Sequence, residues 1–280
     1  VVSRCCRSIA ACAGRAEIAL ELTGISHTFA SESGGTPVRA LEGIDLQLAP
    51  GEFFSVIGPS GCGKSTLLEI VAGLLRATEG RVVFDGREVA GEVPDGVGMV
   101  FQEDASFPWL SVWDNVAFGL RRRGTDPAEI VRRVDYALQF VGLADFARHH
   151  PRQLSGGMRQ RVCIARTLVL EPRLILLDEP FGALDQQTRL VMGEELLRLW
   201  RETGATVLLI THSLDEAALL SDRIGVMSAR PGRFIASLAT GWPRERDSQV
   251  VNDPRFGALT AEMWTHLRAE SLRSIRTSSG

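Results

Sequence analysis

An α/β fold around a mostly parallel sheet is the architecture this sequence predicts, and three observations carry the prediction. Short, largely apolar runs such as "FFSVI", "LILL" and "VLLI" stand between stretches of helical spacing; buried parallel strands have this character because both their faces are covered. One of these runs, in "EFFSVIG", leads directly into "GPSGCGKST" (58–66) and then into a helical repeat of leucines. Strand and helix go on alternating through the later sequence, the pattern of parallel strands joined by crossover helices.

The elements follow in order. "LEGIDLQL" alternates Leu41, Ile44, Leu46 and Leu48 before the Pro50-Gly51 turn, and belongs to an N-terminal antiparallel β region. After the glycine loop, Leu67, Leu68, Val71, Leu74 and Leu75 recur as on one helix. "RVVFDG" (81–86) and "GVGMVFQ" (96–102) read as strands. Asp126 is placed as an N-cap, with Pro127 at the first helical position and an apolar face at 130, 134, 137, 138 and 141 that Gly142 closes. Ser155 caps another helix, whose stripe is Met158, Val162, Ala165 and Val169. The segment 103–165 is mostly helical and reads as an inserted α-helical subdomain. "RLILLDEP" is a short buried strand, and a helix over 186–203 turns Leu190, Leu197 and Trp200 inward before Gly204. "TVLLITH" is a strand, Ser213 and Glu216 make a capping box, and "RIGVMSA" and "RFIASLA" are two more strands. Residues 1–16 are expected to be a disordered extension or a product of start-site assignment. Residues 17–240 are expected to form the main domain, and 241–280 a short polar tail with a helix over 264–274 that packs on the core.

Composition bounds the function. With 280 residues, 45% of them hydrophobic, the chain can bury a full core. A net charge of −3 offers no global attraction to nucleic acid, and no nucleic-acid partner is expected. The five cysteines, at 5, 6, 12, 62 and 163, lack the spacing of a disulfide framework or a zinc site, which suits a reducing cytoplasm. No apolar run approaches the length that spans a bilayer, so a membrane role is expected to come through a partner.

The spacing Gly58-x4-Gly63-Lys64-Ser65 is that of a phosphate-binding P-loop. Glycines reach positive φ cheaply, so consecutive N–H groups can turn inward around a phosphate. Lys64 adds a point charge and Ser65 a hydroxyl for Mg²⁺, while the following helix N-terminus adds orphan N–H groups. A unit charge 4 Å from a phosphate oxygen is worth about 4 kcal/mol at an effective dielectric of 20, so Lys64 and Mg²⁺ together offset much of a triphosphate's charge. Ligands of α/β sheets sit beyond the carboxyl ends of the strands. Four such ends carry polar groups: Gly58 with its loop, Gln102, Asp178-Glu179 and His212. Adjacent strand residues face opposite ways, which lets Asp178 hold Mg²⁺, directly or through water, while Glu179 acts as general base on the attacking water. His212 is either a core histidine or a γ-phosphate contact. Cys62 is either a low-titrating thiol or a small residue that fits.

The motifs "GPSGCGKST", "VFQ", "LSGGMRQR", "LILLDEP", "FGALD" and "ITH", in that order over about residues 17–235, resemble the ATP-binding subunits of ABC transporters. The resemblance implies a P-loop NTPase core that binds and hydrolyses ATP with Mg²⁺. Gly58, Pro59, Ser60, Gly61, Cys62, Gly63, Lys64, Ser65 and Thr66 would form the nucleotide loop, with Ser65, Gln102 and Asp178 serving Mg²⁺. Glu179 would activate water and His212 sense the γ-phosphate. Ser155, Gly156 and Gly157 would contact ATP held by a second subunit, across an interface that Asp185 crosses. Phe29 would stack on adenine, unless it is ordinary β-core.

Further resemblance narrows the group. "FPWLSVWDNVAFGLRRRG" and "VMSARPGR" look like the nitrate, sulfonate and taurine importers. This implies a homodimer on the cytoplasmic face of the bacterial inner membrane, attached to a permease and served indirectly by a solute-binding protein. Trp109 and Trp113 would then line or brace the groove that receives the permease, if they are not plain core. An exporter or lipoprotein-release motor is the alternative, and a soluble ABC ATPase is a weaker one, since the chain has one P-loop and no sustained heptads.

Overall fold

The computed structural model describes residues 18–30, 36–102, 105–182 and 184–277, so the extension expected over 1–16 lies outside the described residues. In chain order, the first elements are β1 (Leu20–Phe29), β2 (Val38–Leu48), β3 (Phe53–Ile57), α1 (Lys64–Val71), β4 (Glu79–Phe84), β5 (Arg87–Glu88) and β6 (Val97–Val100). Then come α2 (Val112–Arg122), α3 (Pro127–Phe140), α4 (Gly156–Leu168), β7 (Leu174–Asp178), α5 (Gln186–Thr203) and β8 (Thr206–Ile210). The last are α6 (Leu214–Leu220), β9 (Arg223–Met227), β10 (Phe234–Ala239) and α7 (Pro254–Thr277).

Two sheets result. An antiparallel one has the order β2-β1-β4-β5, and a six-stranded one the order β10-β9-β3-β8-β7-β6. In the larger sheet β3, β6, β7, β8 and β9 are parallel, and only β10 is antiparallel to its neighbour. Period-two alternation divides the central strands between two cores. Phe53, Ile57, Ile175, Leu177, Val207 and Leu209 face the layer of α2 to α7. Phe54, Val56, Leu174, Leu176, Leu208 and Ile210 face α1 and the antiparallel sheet. Both faces are covered, which is why these strands read as unbroken apolar runs.

Helix starts follow the chemistry read from the sequence. The Asp126 carboxylate accepts from Ala128 N and Glu129 N at 2.9 and 3.3 Å, and Ile130, Val134, Ala137, Leu138 and Val141 are all buried. The Ser155 hydroxyl accepts from Met158 N, and Gly204 ends α5 at φ 65°. Three helices, α2 to α4, lie between β6 and β7, the segment read as mostly helical.

Four local expectations are corrected. Helix α1 stops at Val71 rather than running to Leu75: Gly73 takes φ 75° and packs where a Cβ would lie 2.2 Å from the Glu92 carbonyl, which leaves Leu74 exposed. Leu190 is 39% exposed, at the rim of α5 beyond the edge of the core, whereas Leu197 and Trp200 are buried as expected. The capping box of α6 is half formed. Ser213 caps Glu216 N, but the Glu216 carboxylate turns inward to the Thr211 hydroxyl at 2.6 Å and Arg189 at 3.2 Å. The helix of the tail packs on the core as expected but is longer, and the residues before it contribute too. Trp242, Phe256, Leu259, Met263 and Leu267 join the main core, and the helix expected over 264–274 runs from Pro254 to Thr277.

Candidate functional site

The carboxyl ends of β3, β7 and β8 lie side by side because these strands are parallel neighbours. The loop 58–66, the pair Asp178-Glu179 and His212 therefore reach one sheet edge, and Gln102 arrives from β6 next to β7. In the loop, Gly61 and Gly63 take φ 71° and 103°. A side chain on Gly63 would also bring its Cβ within 2.8 Å of Leu41 and 2.9 Å of the Ala40 carbonyl. Lys64 is 7% exposed, and its Nζ donates to the Gly58 and Pro59 carbonyls at 2.9 and 3.0 Å, which arches the loop over the ammonium. Gly63 provides no side-chain cap for α1, so the amides of its first turn remain available to an anion. Cys62 is buried, and burial pushes its thiol up against the opposing pull of Lys64. It is the small residue that fits, not a low-titrating thiol.

Asp178 is the last residue of β7 and is 6% exposed. Burial pushes its carboxyl above the usual carboxylate range, against a hydrogen bond from Ser65 and the charge of Lys64. Its Oδ1 is buried without a hydrogen-bond partner among the described residues. Glu179 diverges from Asp178 through the backbone rather than the strand pleat: it takes φ 46°, a left-handed conformation uncommon for a non-glycine residue and one found at functional sites. The turn aims its carboxylate into the cleft, where Oε2 accepts from Gln102 Nε2 at 3.1 Å and lies 3.1 Å from His212 Nδ1. The His212 ring is 60% exposed, so it is not a core histidine.

A cleft of about 350 Å³ opens above the loop, lined by Ser60, Gly61, Gly63, Lys64, Ser65 and Thr66, by Gln102 and Glu179, and by Phe29, Val38, Ala40 and Arg230. Phe29, at the end of β1, is 42% exposed and meets His27 edge-on at 4.5 Å, so it is not ordinary core. Arg230 is the residue that sequence reasoning missed. β9 is a further parallel strand beside β3, and a basic residue just past its end is the signal that could have found it. A larger cavity of about 690 Å³ lies at the opposite edge of the sheet; its Arg132 and Arg133 pair with Glu129, and its Arg173 with Asp85.

Other predicted residues lie elsewhere. Ser155, Gly156 and Gly157 form the start of α4, with Ser155 and Gly156 exposed, and they do not line this cleft. Asp185 caps α5, accepting from the Thr188 amide and hydroxyl at 3.0 and 2.6 Å, and these bonds hold its carboxyl below the usual range. Trp109 is 72% exposed beside Phe107 at 5.6 Å, and Phe107 in turn meets the exposed Phe118 at 4.7 Å. Trp113 instead packs against the core, donates to Asp135 at 3.0 Å and carries Arg121 over its ring.

The donor set suits a small hard cation. The unpartnered Asp178 Oδ1 and the Ser65 hydroxyl, which hydrogen-bonds Asp178, put hard oxygens at one spot and would hold such an ion. Among the described residues no group of three or more His, Cys, Asp or Glu side chains gathers to cage a metal.

A glycine loop over a helix N-terminus, with strand-tip carboxylates beside it on a parallel sheet, defines a P-loop nucleotide-binding protein. The ABC transporter family matches residues 41–182. The taurine import ATP-binding protein TauB of Jannaschia sp. is 50% identical over 248 residues, covering 87% of this chain and 92% of that protein. The nitrate import ATP-binding protein NrtD of Synechocystis sp. is 41% identical over 255 residues, covering 89% and 95%. A dimeric ATP-binding cassette solved in a post-hydrolysis state with ADP and Pi superposes with a TM-score of 0.73 at 32% identity, over 80% of this chain and 100% of that one. The chain belongs to the ATP-binding proteins of ABC transporters.

Proposed function

We propose that this chain is the ATP-hydrolysing motor subunit of an ABC importer for a nitrate, aliphatic sulfonate or taurine type of solute. The observation that carries the reading is the Glu179 carboxylate, held at 3.1 Å by both Gln102 and His212 beside a glycine loop with a buried lysine. The relatives named for taurine and nitrate import support the importer and lend nothing to the exporter or soluble alternatives. The ATPase domain covers 17–240, with 103–165 as its helical insert, and the segment from Trp242 to Leu267 packs into the same core.

Each residue has a task that follows from its chemistry. The loop amides from Gly61 to Thr66 bind the phosphates, and Lys64 sets a positive charge against them. Ser65, Asp178 and Gln102 would hold Mg²⁺, which when bound would supply positive charge against the phosphates. Glu179 accepts the proton of the attacking water, and His212, 3.1 Å from that carboxylate, contacts the γ-phosphate. Phe29 offers a π face to adenine. The helix start at Ser155–Gly157, which does not line the cleft of its own chain, supplies the lid for ATP held by a second copy. Closure of that dimer is then passed to a permease at the Phe107–Trp109–Phe118 patch, on the cytoplasmic face of the membrane. No helix among the described residues is long and apolar enough to cross a membrane.

Glu179→Gln tests the assignment. Gln preserves shape but cannot take the proton, so ATP binding stays within about threefold while turnover falls by about 10² to 10⁴. Size-exclusion chromatography with ATP then shows a longer-lived dimer. Undiminished hydrolysis in the variant refutes the assigned base.

A further inference from the structure

β9 runs parallel to β3, with Val226 opposite Ile57, so the segment leaving β9 arrives at the edge that holds the phosphate loop. That segment, 228–232, is fastened from several sides. The Ser228 hydroxyl donates to the Ala229 and Pro231 carbonyls at 2.9 and 3.0 Å. Gly232 N donates to the Ala40 carbonyl at 2.8 Å, and a Cβ at Gly232 would lie 2.2 Å from the Cys62 carbonyl. At Gly232 the segment thus abuts the loop without room for a side chain.

From this support Arg230 enters the cleft. Its Nε and Nη2 donate to the Gly61 carbonyl at 3.1 and 2.9 Å. A guanidinium has five N–H donors, and the others of Arg230 have no partner among the described residues. On the outer side, Ala229 N donates to Glu270 Oε2 of α7 at 2.9 Å. Glu270 is 6% exposed, and Arg273 holds its other oxygen at 2.7 Å.

We propose that Arg230 is a second cationic ligand for the nucleotide's phosphate chain, set in place by α7 through the bond between Glu270 and Ala229 N. The proposal rests on the nucleotide cleft described above. A phosphate oxygen is a stronger acceptor for a guanidinium than the neutral Gly61 carbonyl, because charge-assisted bonds are about twice as strong as neutral ones. The positive fields of both Lys64 and Arg230 are felt at Cys62, so the two cations act on the same loop. α7 thereby becomes a handle on nucleotide affinity from outside the cleft.

Calorimetric titration of the full chain with MgADP tests this. Wild-type protein must bind; well-folded wild type that takes up no MgADP overturns the cleft reading and this proposal with it. Given binding, Arg230→Ala weakens MgADP by about tenfold or more and makes the affinity less sensitive to added salt, while the unliganded melting temperature stays put. Glu270→Ala weakens MgADP in the same direction, Glu270→Gln, which keeps an acceptor oxygen, stays near wild type, and Glu270→Ala adds nothing in the Arg230→Ala background. Unchanged affinity in Arg230→Ala overturns the proposal. So does an unliganded melting temperature that falls with the affinity, which would make Arg230 a brace of the loop, or losses from the two alanine variants that multiply.

Discussion

Asp178→Asn is expected to make the unliganded protein more stable and less responsive to magnesium. Asp178 is 6% exposed, has one oxygen without a partner, and sits beside the Glu179 carboxylate. An unsatisfied buried polar group costs about 1–3 kcal/mol. Asn keeps the volume and leaves that position polar but uncharged; because the cost is larger for a charged group, about 1–2 kcal/mol is recovered after allowing for the lost attraction to Lys64. For a chain of this size that raises Tm by about 2–6 °C. The sign with pH is also determined. Burial raises the folded carboxyl above its ordinary value of 3.8, so the folded state keeps the Asp178 proton to higher pH than the unfolded state does. The contribution of this group is fully present below the ordinary value and is lost as pH rises through the folded one. The advantage of Asn is therefore largest near neutral pH and fades in acid, where the wild-type carboxyl is neutral too. Scanning fluorimetry with EDTA, then with Mg²⁺ and ADP, reads both effects. Ligand at a hundredfold excess over Kd adds about 2.7 kcal/mol to the wild type, and the part of that shift requiring Mg²⁺ shrinks in the variant. An unliganded Tm that does not rise, together with an undiminished magnesium-dependent shift, refutes the reasoning.

Two other substitutions probe different parts of the molecule. Trp109→Ala removes a ring that is 72% exposed, so thermal stability and nucleotide affinity hold while ATPase activity stimulated by the permease falls; equal losses of binding and stimulated activity count against the patch as a permease contact. Asp126→Ala removes the cap that accepts two backbone N–H groups of α3 and costs about 1 kcal/mol, visible in urea unfolding, with MgADP affinity unchanged.

What could be read without coordinates depended on how far apart the cooperating residues lie. The phosphate loop is contiguous, and strand ends announce themselves because an apolar run stops at a polar residue. Gly58–Thr66, Gln102, Asp178-Glu179 and His212 were therefore legible, since parallel strands need only be neighbours for their tips to meet. The cap at Asp126 was equally local. Leu190 and the end of α1 were misread because the edge of a core is not a periodic signal. Glu216 satisfied a capping pattern yet turned to Thr211 and Arg189, the more favourable partners for a buried carboxylate.

By itself, then, the sequence determined the P-loop, the order of strands and helices and the family to which the chain belongs, because those signals are spacings along one segment. Only the tertiary structure decided that Glu179 diverges from Asp178 through a left-handed turn, that Asp178 keeps an unpartnered oxygen, and that Trp242 and Phe256 join the main core ahead of the terminal helix's later turns. It also decided that Arg230 reaches Gly61 across 169 positions of chain, with Glu270 of α7 behind it. Such contacts depend on how sheets and helices close on one another, and no stretch of residues records that closure alone.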